Sequence, residues 1–184
     1  MTQRPLRSAL AGALDAIGQE YAIGGAIALG FWAEPRGTID LDLTLYLPPE
    51  EPTKCVRLLG KIGCEVSSSD AHASIAEYGF CRAAYQGVRV DTFLPTMPFY
   101  EVARTRRRRV TLGEQEVDVW DAESLTVFKL MFFRRKDIAD IEQIVRIQAE
   151  ALDRKWIRQQ LVDIYGTRDP RVAQWDELDA EIPR

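Results

Sequence analysis

Three aspartates stand out because each lies in an apolar, strand-like segment, where a carboxylate is costly to bury. Asp40 and Asp42 are one residue apart in "TIDLDLTLYL", and Asp91 ends an alternating apolar run in "GVRVDTFLP". Side chains two residues apart in a strand point to the same face, about 6.5 to 7 Å apart along the chain. We therefore expect Asp40 and Asp42 to project from the face opposite the leucines, with Asp91 beside them on a neighbouring strand.

Converging carboxylates repel one another unless a cation lies between them. The chain has one histidine and three scattered cysteines, so the ligands are hard oxygens, which favour Mg²⁺ or Mn²⁺ over zinc. Two such ions about 3.5 to 4 Å apart serve phosphoryl transfer in polymerase-type sites, by activating the attacking oxygen and steadying the leaving phosphate. A DxD pair alone, however, is also compatible with a structural role.

The Gly-Gly pair at Gly24 and Gly25 follows an apolar run and precedes a helical segment. Glycines in such a turn let backbone N–H groups and a helix N-terminus approach a phosphate closely. A Gly-Gly pair by itself is more typical of a simple tight turn. Followed one helix later by a DxD strand, it favours a phosphate site.

The elements that must position these residues alternate in type along the chain. We predict helices at 5–19, 26–33 and 50–62, a strand in "TIDLDLTLYL" with Ile39 on the leucine face, and a short strand at 64–67. Two hairpins should turn at Gln86-Gly87 and near Gly113. Helices should fill residues 121–165. The order predicts an α+β fold, a mixed β-sheet flanked by helices, with a core at 1–120 and a helical C-terminal part at 121–184.

The composition is that of an ordinary globular protein, with 46% hydrophobic and 28% charged residues among 184. No apolar run reaches the roughly 18 residues of a membrane-spanning helix. Three cysteines without CxxC spacing predict a reducing, cytoplasmic setting. The tail "WDELDAEIPR", with Trp175, is either a docking surface for a partner or a terminal helix packed on its own core.

A net charge of −4 argues against a general nucleic-acid coat, yet five arginines lie within "RTRRRR", residues 104–109. One interpretation of this arginine stripe is a charged strand edge that resists aggregation. The other is a surface that contacts phosphates.

The segments "IGGAIAL", "RGTIDLDLTL", "VRVDTF" and "LTVFKLMFFRRKDIADIEQI" together resemble the nucleotidyltransferase superfamily of the polymerase-beta-like fold, and within it the AbiEii/AbiGii toxin-type branch. The resemblance covers most of residues 21–145. It implies that Gly24 and Gly25 form the phosphate-binding turn, that Asp40 and Asp42 are the metal-binding pair, and that Asp91 is the third carboxylate. One departure is that fourteen residues separate Gly25 from Asp40, slightly more than is usual in the superfamily.

The later segment adds charged residues to the expected site. Lys129 lies inside an apolar helix, where it either snorkels to water or meets an anion, and the resemblance implies that it faces the nucleoside triphosphate. The resemblance also puts Asp137 and Asp140 near the acidic motif of the family, although Asp137 would equally serve as the N-cap of the next helix. Arg36 and Thr38 are candidate phosphate or nucleotide contacts, with a solvent-exposed turn as the alternative for Arg36.

The resemblance implies metal-dependent transfer of a nucleoside monophosphate from an NTP to an acceptor hydroxyl, with pyrophosphate leaving. Asp40, Asp42, Asp91 and Lys129 would be the catalytic residues. Toxin-type relatives imply an RNA acceptor, especially the tRNA acceptor end, a cognate toxin or antitoxin partner, and RNA contacts through Arg106, Arg107, Arg108 and Arg109. Protein or small-molecule acceptors such as aminoglycosides remain alternatives, as does a non-catalytic binding partner or nucleotide sensor.

Overall fold

A computed structural model describes residues 4–182 of the chain. The contacts within it divide the chain into two compact units. The sheet unit consists of the described residues up to Gly24 together with Gly37–Val119. The helical unit consists of Gly25–Arg36 together with the described residues from Trp120 onward.

Six strands form the sheet of the sheet unit, and they are β1 (Tyr21–Ile23), β2 (Asp40–Leu45), β3 (Phe80–Tyr85), β4 (Val88–Phe93), β5 (Arg108–Leu112) and β6 (Gln115–Val119). Their order across the sheet is β3-β4-β2-β1-β6-β5. Strand β2 runs parallel to β4 and antiparallel to β1, and β1 is parallel to β6. Both hairpins, β3-β4 and β5-β6, are antiparallel, so the sheet is mixed.

Residues 4–182 form nine α-helices, which are α1 (Arg4–Ala16), α2 (Gly25–Trp32), α3 (Pro52–Lys61), α4 (Ser68–Tyr78), α5 (Phe99–Arg106), α6 (Ala122–Phe132), α7 (Arg135–Gln148), α8 (Arg154–Tyr165) and α9 (Pro170–Glu181). A 3₁₀ turn, Ala149–Ala151, separates α7 from α8. In the sheet unit, α1 packs on β6 and α4 on β3. This arrangement confirms the predicted α+β class, a mixed sheet with helices. None of the helices in the described range has the length and apolarity that crossing a membrane requires.

The alternation predicted for β2 is present over the strand itself. Leu41, Leu43 and Leu45 are at most 1% exposed, while Asp40 and Asp42 are half-buried on the other face. Burying the leucines settles the register, so the aspartates have to take the opposite face. The prediction for Ile39 was wrong, because this residue precedes the first paired position of β2 and is 72% exposed.

The predicted β3-β4 turn is confirmed at Gln86 and Gly87, whose φ angles of 49° and 80° are both positive, as in a type I′ hairpin. The strand predicted at 64–67 is reduced to a single bridge between Glu65 and Ala84. It has no room to extend, since Ser67 already caps α4. Helix α5 was not predicted, because its arginines carry no helical pattern of apolar residues.

The helical unit buries its own core. Helix α2 packs against α6 and α7, α6 against α8, and α8 against α9. Trp175 on α9 is fully buried, so the tail is a terminal helix packed on its own unit. Helix α2 falls in this unit and not with the residues before 120, because its apolar residues Ala26 to Leu29 are all buried.

Candidate functional site

The three predicted carboxylates lie on one face of two adjacent parallel strands. Asp42 on β2 is the register partner of Asp91 on β4, and Asp40 is the partner of Arg89. Register partners in a sheet point to the same side. We call Asp40, Asp42 and Asp91 the carboxylate cluster. Alternation predicts the face on which each carboxylate lies, and the register of β2 and β4 brings the three together.

Two arginines that sequence analysis missed flank the cluster. Arg89 Nη2 donates a hydrogen bond to Asp40 Oδ2 and another to Asp91 Oδ2, the latter 3.3 Å long. Arg82 on β3 is the register partner of Asp91, and its Nε lies 3.6 Å from Asp91 Oδ1. The signal for Arg89 was available in "VRVD", because a residue two positions before Asp91 shares its face.

The environment of Asp40 keeps it ionised. Burial by itself would raise the pKa of this carboxyl, but the hydrogen bond that Thr38 Oγ1 donates to Oδ1 and the charge of Arg89 outweigh it, and the pKa is lowered from its ordinary value. Thr38, a predicted nucleotide contact, is thus engaged with the metal-ligand candidate that follows it.

The donor chemistry of the cluster fits a hard divalent cation. Asp91 Oδ1 is buried and accepts no hydrogen bond, although Arg82 Nε lies 3.6 Å away, so this oxygen keeps a lone pair for a donor or a cation. Within residues 4–182, however, no three carboxylate, histidine or cysteine side chains are already arranged to hold a metal ion. The carboxylate cluster therefore offers oxygen atoms of the kind that a divalent cation prefers, and in this structure Asp40 and Asp91 pair with guanidinium groups.

The Gly-Gly turn follows β1 and leads into α2. The N–H of Gly24 donates to the backbone carbonyl of Asp42 over 2.9 Å. Gly25, the first residue of α2, has a φ of 56°, a conformation that favours glycine over residues with a Cβ. The turn therefore fixes where α2 begins, and its role in phosphate binding stays a prediction.

A second charged cluster, the Asp140 cluster, lies in the helical unit and consists of Arg36, Lys129 and Asp140. Lys129 Nζ is 2.5 Å from Asp140 Oδ2, and both side chains are 5% exposed. Arg36 binds the same carboxylate through two hydrogen bonds of 2.9 Å, from Nε and Nη2, a fork geometry that suits a guanidinium. Lys129 accordingly does not snorkel to water, and its charge is balanced inside the protein.

Burial and pairing act in opposite directions on these groups. Burial lowers the pKa of Lys129, and the hydrogen bond and charge of Asp140 offset only part of this effect. For Asp140, burial would raise the pKa, but Arg36 and Lys129 together lower it below its ordinary value. Arg36 and Lys129 thus share the carboxylate of Asp140, and the charge of Asp137 also acts on Lys129.

Asp137 has a local structural role. It occupies the third position of α7, and its Oδ2 accepts hydrogen bonds from the backbone N and the Nε of Arg134, the N-cap residue, over 3.2 and 2.6 Å. The prediction that Asp137 itself is the N-cap was wrong by three residues, because the helix begins sooner. Its side chain is 2% exposed.

The arginine stripe is divided between α5 and β5 and is largely paired within the sheet unit. Arg104 and Arg107 both bind Glu20, and their guanidinium groups lie 4.8 and 5.0 Å from the ring centre of Tyr46. Arg109 binds Asp15 and Asp118, at 2.7 and 3.3 Å. Arg106 is half-buried and Arg108 is exposed. RNA contact through Arg106 to Arg109 stays a prediction.

Similar proteins are found at the level of structure. The sequence matches no protein-family model and no curated protein. The fold is similar to that of an antigenic nucleotidyltransferase-like protein from Paracoccidioides brasiliensis, with a TM-score of 0.52 and 18% identity over 98% of this chain and 94% of that one. These values show a likeness of fold.

The antibiotic-resistance factor ANT(2'')-Ia is similar as well. Its solution structure has a TM-score of 0.60 and 14% identity, over 90% of this chain and 94% of that one. Its crystal structure with adenylyl-2''-tobramycin gives 0.57 and 14%, over 96% and 98%. Structural neighbours are thus nucleotidyltransferase-like proteins, and the resemblance to the AbiEii/AbiGii branch stays a prediction.

Proposed function

We propose that this chain, which has the fold of nucleotidyltransferase-like proteins, is a metal-dependent enzyme that transfers a nucleoside monophosphate from an NTP to an acceptor hydroxyl. The observation that carries the proposal is the carboxylate cluster, in which Asp42 and Asp91 are register partners on parallel strands. Hard oxygen ligands on a rigid sheet are what phosphoryl transfer with Mg²⁺ or Mn²⁺ requires.

Each carboxylate has a proposed role. Asp40 and Asp42 bind the divalent ion, and Asp40 is suited to this because its pKa is lowered. Asp91 completes the ligand set and accepts the proton of the acceptor hydroxyl through its buried Oδ1, which accepts no hydrogen bond in this structure. The acceptor oxygen bonds to the α-phosphorus, and the bond from that phosphorus to pyrophosphate breaks. When bound, the ion supplies charge neutralisation at the phosphates and acidifies the acceptor hydroxyl.

Arg36 is the group of the Asp140 cluster that we assign to the nucleotide phosphates. Its side chain is 38% exposed, and two hydrogen bonds to Asp140 orient its guanidinium. Lys129 is buried, and its proposed role is to hold Asp140 and thereby Arg36. The direct contact between Lys129 and the triphosphate, implied by family resemblance, stays a prediction. The start of α2 at Gly25 adds the partial positive charge of a helix N-terminus.

Two acceptor classes have support. The toxin-type resemblance favours RNA, with a toxin or antitoxin as the partner protein. The likeness to ANT(2'')-Ia, which spans almost all of both chains, favours a hydroxyl of an aminoglycoside-like compound. The chain carries a net charge of −4, and carboxylates already neutralise Arg104, Arg107 and Arg109. A polycationic small molecule is therefore attracted to this chain more readily than RNA is.

The test is a transfer assay with each α-labelled NTP, Mg²⁺ or Mn²⁺, and three separate acceptor pools of total RNA, total protein and an aminoglycoside panel. We expect label in one pool and a loss of about 100-fold or more in Asp40→Asn, since a charge that steadies the transition state is removed. Asp163→Asn, an exposed carboxylate on α8, is the matched control and should keep full activity.

Transfer that survives unchanged in a folded Asp40→Asn protein would disprove the assignment of the site. Absence of label in all three pools, together with capture of a partner protein, would favour the non-catalytic binding role.

A further inference from the structure

We infer that Arg89 is an internal counter-cation of the carboxylate cluster, and that it must leave Asp40 and Asp91 before a divalent metal ion can bind between them. The inference rests on the proposed function and deepens it. It concerns how the metal site is kept before the ion arrives.

The contacts of a single atom carry the inference. Arg89 Nη2 donates hydrogen bonds to Oδ2 of Asp40 on β2 and to Oδ2 of Asp91 on β4. One positively charged nitrogen thus bridges carboxylates of two strands, which is the position that a bridging cation would take. A divalent ion cannot bind both Oδ2 atoms while Nη2 lies between them, because the like charges would be in contact.

The guanidinium of Arg89 also reduces the repulsion among the carboxylates of the metal-free protein. The register of β2 and β4 makes Asp42 and Asp91 neighbours and puts Asp40 opposite Arg89. Carboxylates this close repel one another unless a cation lies between them. A guanidinium remains charged at all working pH values, so Arg89 offsets this repulsion while no metal ion is bound.

Arg89 is able to move without disturbing the core. Its side chain is 45% exposed, and its neighbours along β4, Val88 and Val90, face the core on the other side of the sheet. Rotation of the side chain toward solvent frees both Oδ2 atoms. Asp91 Oδ1, which accepts no hydrogen bond, is then a further oxygen that can coordinate the ion.

Arg82 offers a matched comparison, because it flanks the same cluster without bridging it. Its Nε is 3.6 Å from Asp91 Oδ1 and its side chain is 69% exposed. Its ion pair is with Asp91, on one side of the cluster. Loss of Arg82 therefore removes a nearby charge but leaves the bridging position occupied.

The experiment measures Mn²⁺ binding to the full chain by the loss of the free-ion EPR signal, for the native protein and for Arg89→Gln and Arg82→Gln. We expect Arg89→Gln to bind Mn²⁺ about tenfold more tightly, the factor for a competing state that holds about nine-tenths of the population. Arg82→Gln should stay within about twofold to threefold of the native affinity, the change expected for an exposed, screened charge.

Thermal unfolding provides a second measurement on the same proteins. Without metal, Arg89→Gln should have a lower Tm than the native chain because the carboxylates are left to repel one another. Saturating Mn²⁺ should raise the Tm of Arg89→Gln by more than it raises that of the native chain. If the glutamine variant does not fold without metal, the Mn²⁺ affinity is measured with Arg89→Lys. This variant keeps the charge but cannot form the same guanidinium contacts.

The outcomes separate this inference from the proposed function. If the native chain binds Mn²⁺ and Arg89→Gln binds it equally or more weakly, Arg89 does not compete and the inference fails, while the metal site stands. If neither protein binds Mn²⁺, the metal dependence of the proposed function fails, and the inference fails with it.

Discussion

The two charged clusters differ in the ratio of acidic to basic residues. The carboxylate cluster has three acidic groups beside two guanidinium groups, Arg82 and Arg89. The Asp140 cluster has one carboxylate for two cations, Arg36 and Lys129. Carboxylates outnumber cations among the residues of the first cluster, and cations outnumber carboxylates among those of the second. This difference follows from residue types and contacts and does not require a bound ligand.

Asp140→Asn is expected to destabilise the protein by about 3 to 5 kcal/mol, because it leaves the buried ammonium of Lys129 without its counter-charge. Urea unfolding at pH 7 measures the change. Glu142→Gln on the same helix is the control. Glu142 pairs with Arg146 across 3.9 Å with both side chains well exposed, so its loss should cost no more than about 1 kcal/mol. Equal effects of the two variants would contradict the role given to Asp140.

The same pair of proteins reports the pH dependence of the Asp140 cluster. The pKa of Asp140 is lower in the folded protein than its ordinary value of 3.8. A carboxyl with a depressed folded pKa contributes stability that is complete above the unfolded pKa and disappears as the pH falls through the folded one. The stability difference between native and Asp140→Asn proteins should therefore be constant from pH 7 to about 5 and shrink below about 4. A difference that grows on acidification would contradict this sign.

Among the elements, β2 shows how much a local pattern can decide. Its leucines and aspartates alternate as the sequence predicts, because only one face of the strand is buried. The hairpin turn at Gln86-Gly87 was also predictable, from its residue types alone. The failures were at element ends and in charged segments. Ile39 precedes the ladder, and α5 carries arginines whose partners lie elsewhere in the chain.

Gly79 lies just before β3, and Gly87 lies in the turn between β3 and β4. Substituting them separately distinguishes backbone strain from steric crowding. Gly79 and Gly87 have positive φ angles of 63° and 80°. A Cβ at Gly87 would meet open space, whereas one at Gly79 would collide with the side chain of Thr96. Gly87→Ala should cost about 1 to 2 kcal/mol through backbone strain. Gly79→Ala should cost about 1 to 3 kcal/mol more, because the backbone just before β3 or the side chain of Thr96 must also shift.

Urea unfolding of both alanine variants checks this prediction. Equal losses of stability would mean that Thr96 rotates away at no cost. Since Gly79 accepts a hydrogen bond of 2.7 Å from Leu94, just after β4, a larger loss for Gly79→Ala should come with weaker amide-exchange protection of β4, the strand that carries Asp91.

At the scale of the whole molecule, net charge and its pairing limit the acceptor. The chain carries a net charge of −4, and Arg104, Arg107 and Arg109 are paired with carboxylates of the sheet unit. Substituting these three would disturb the fold as well as any ligand. Arg108, which is exposed on β5, is the arginine of the stripe that reports RNA contact with least structural effect.

If RNA is the acceptor, Arg108→Gln should weaken RNA binding and reduce the slope of log affinity against log salt by about 0.7, the value for one phosphate contact to a single strand. Arg158→Gln is the control, because it removes an exposed arginine from α8 in the helical unit. Fluorescence anisotropy with a labelled tRNA at several salt concentrations provides the measurement. An unchanged slope would exclude Arg108 from RNA contact and favour the small-molecule acceptor.

What residue order decides here is local. Period-2 spacing orients Asp40, Asp42 and Asp91, and apolar periodicity predicts the helices that follow residue 121. Only the tertiary structure decides which residues far apart in the sequence come into contact. Arg36 and Asp140 are 104 residues apart and Arg89 and Asp40 are 49 apart, and no local pattern specifies such pairs. They depend on strand register and helix packing, which is also why α2 joins the C-terminal helices and not the segment that precedes it.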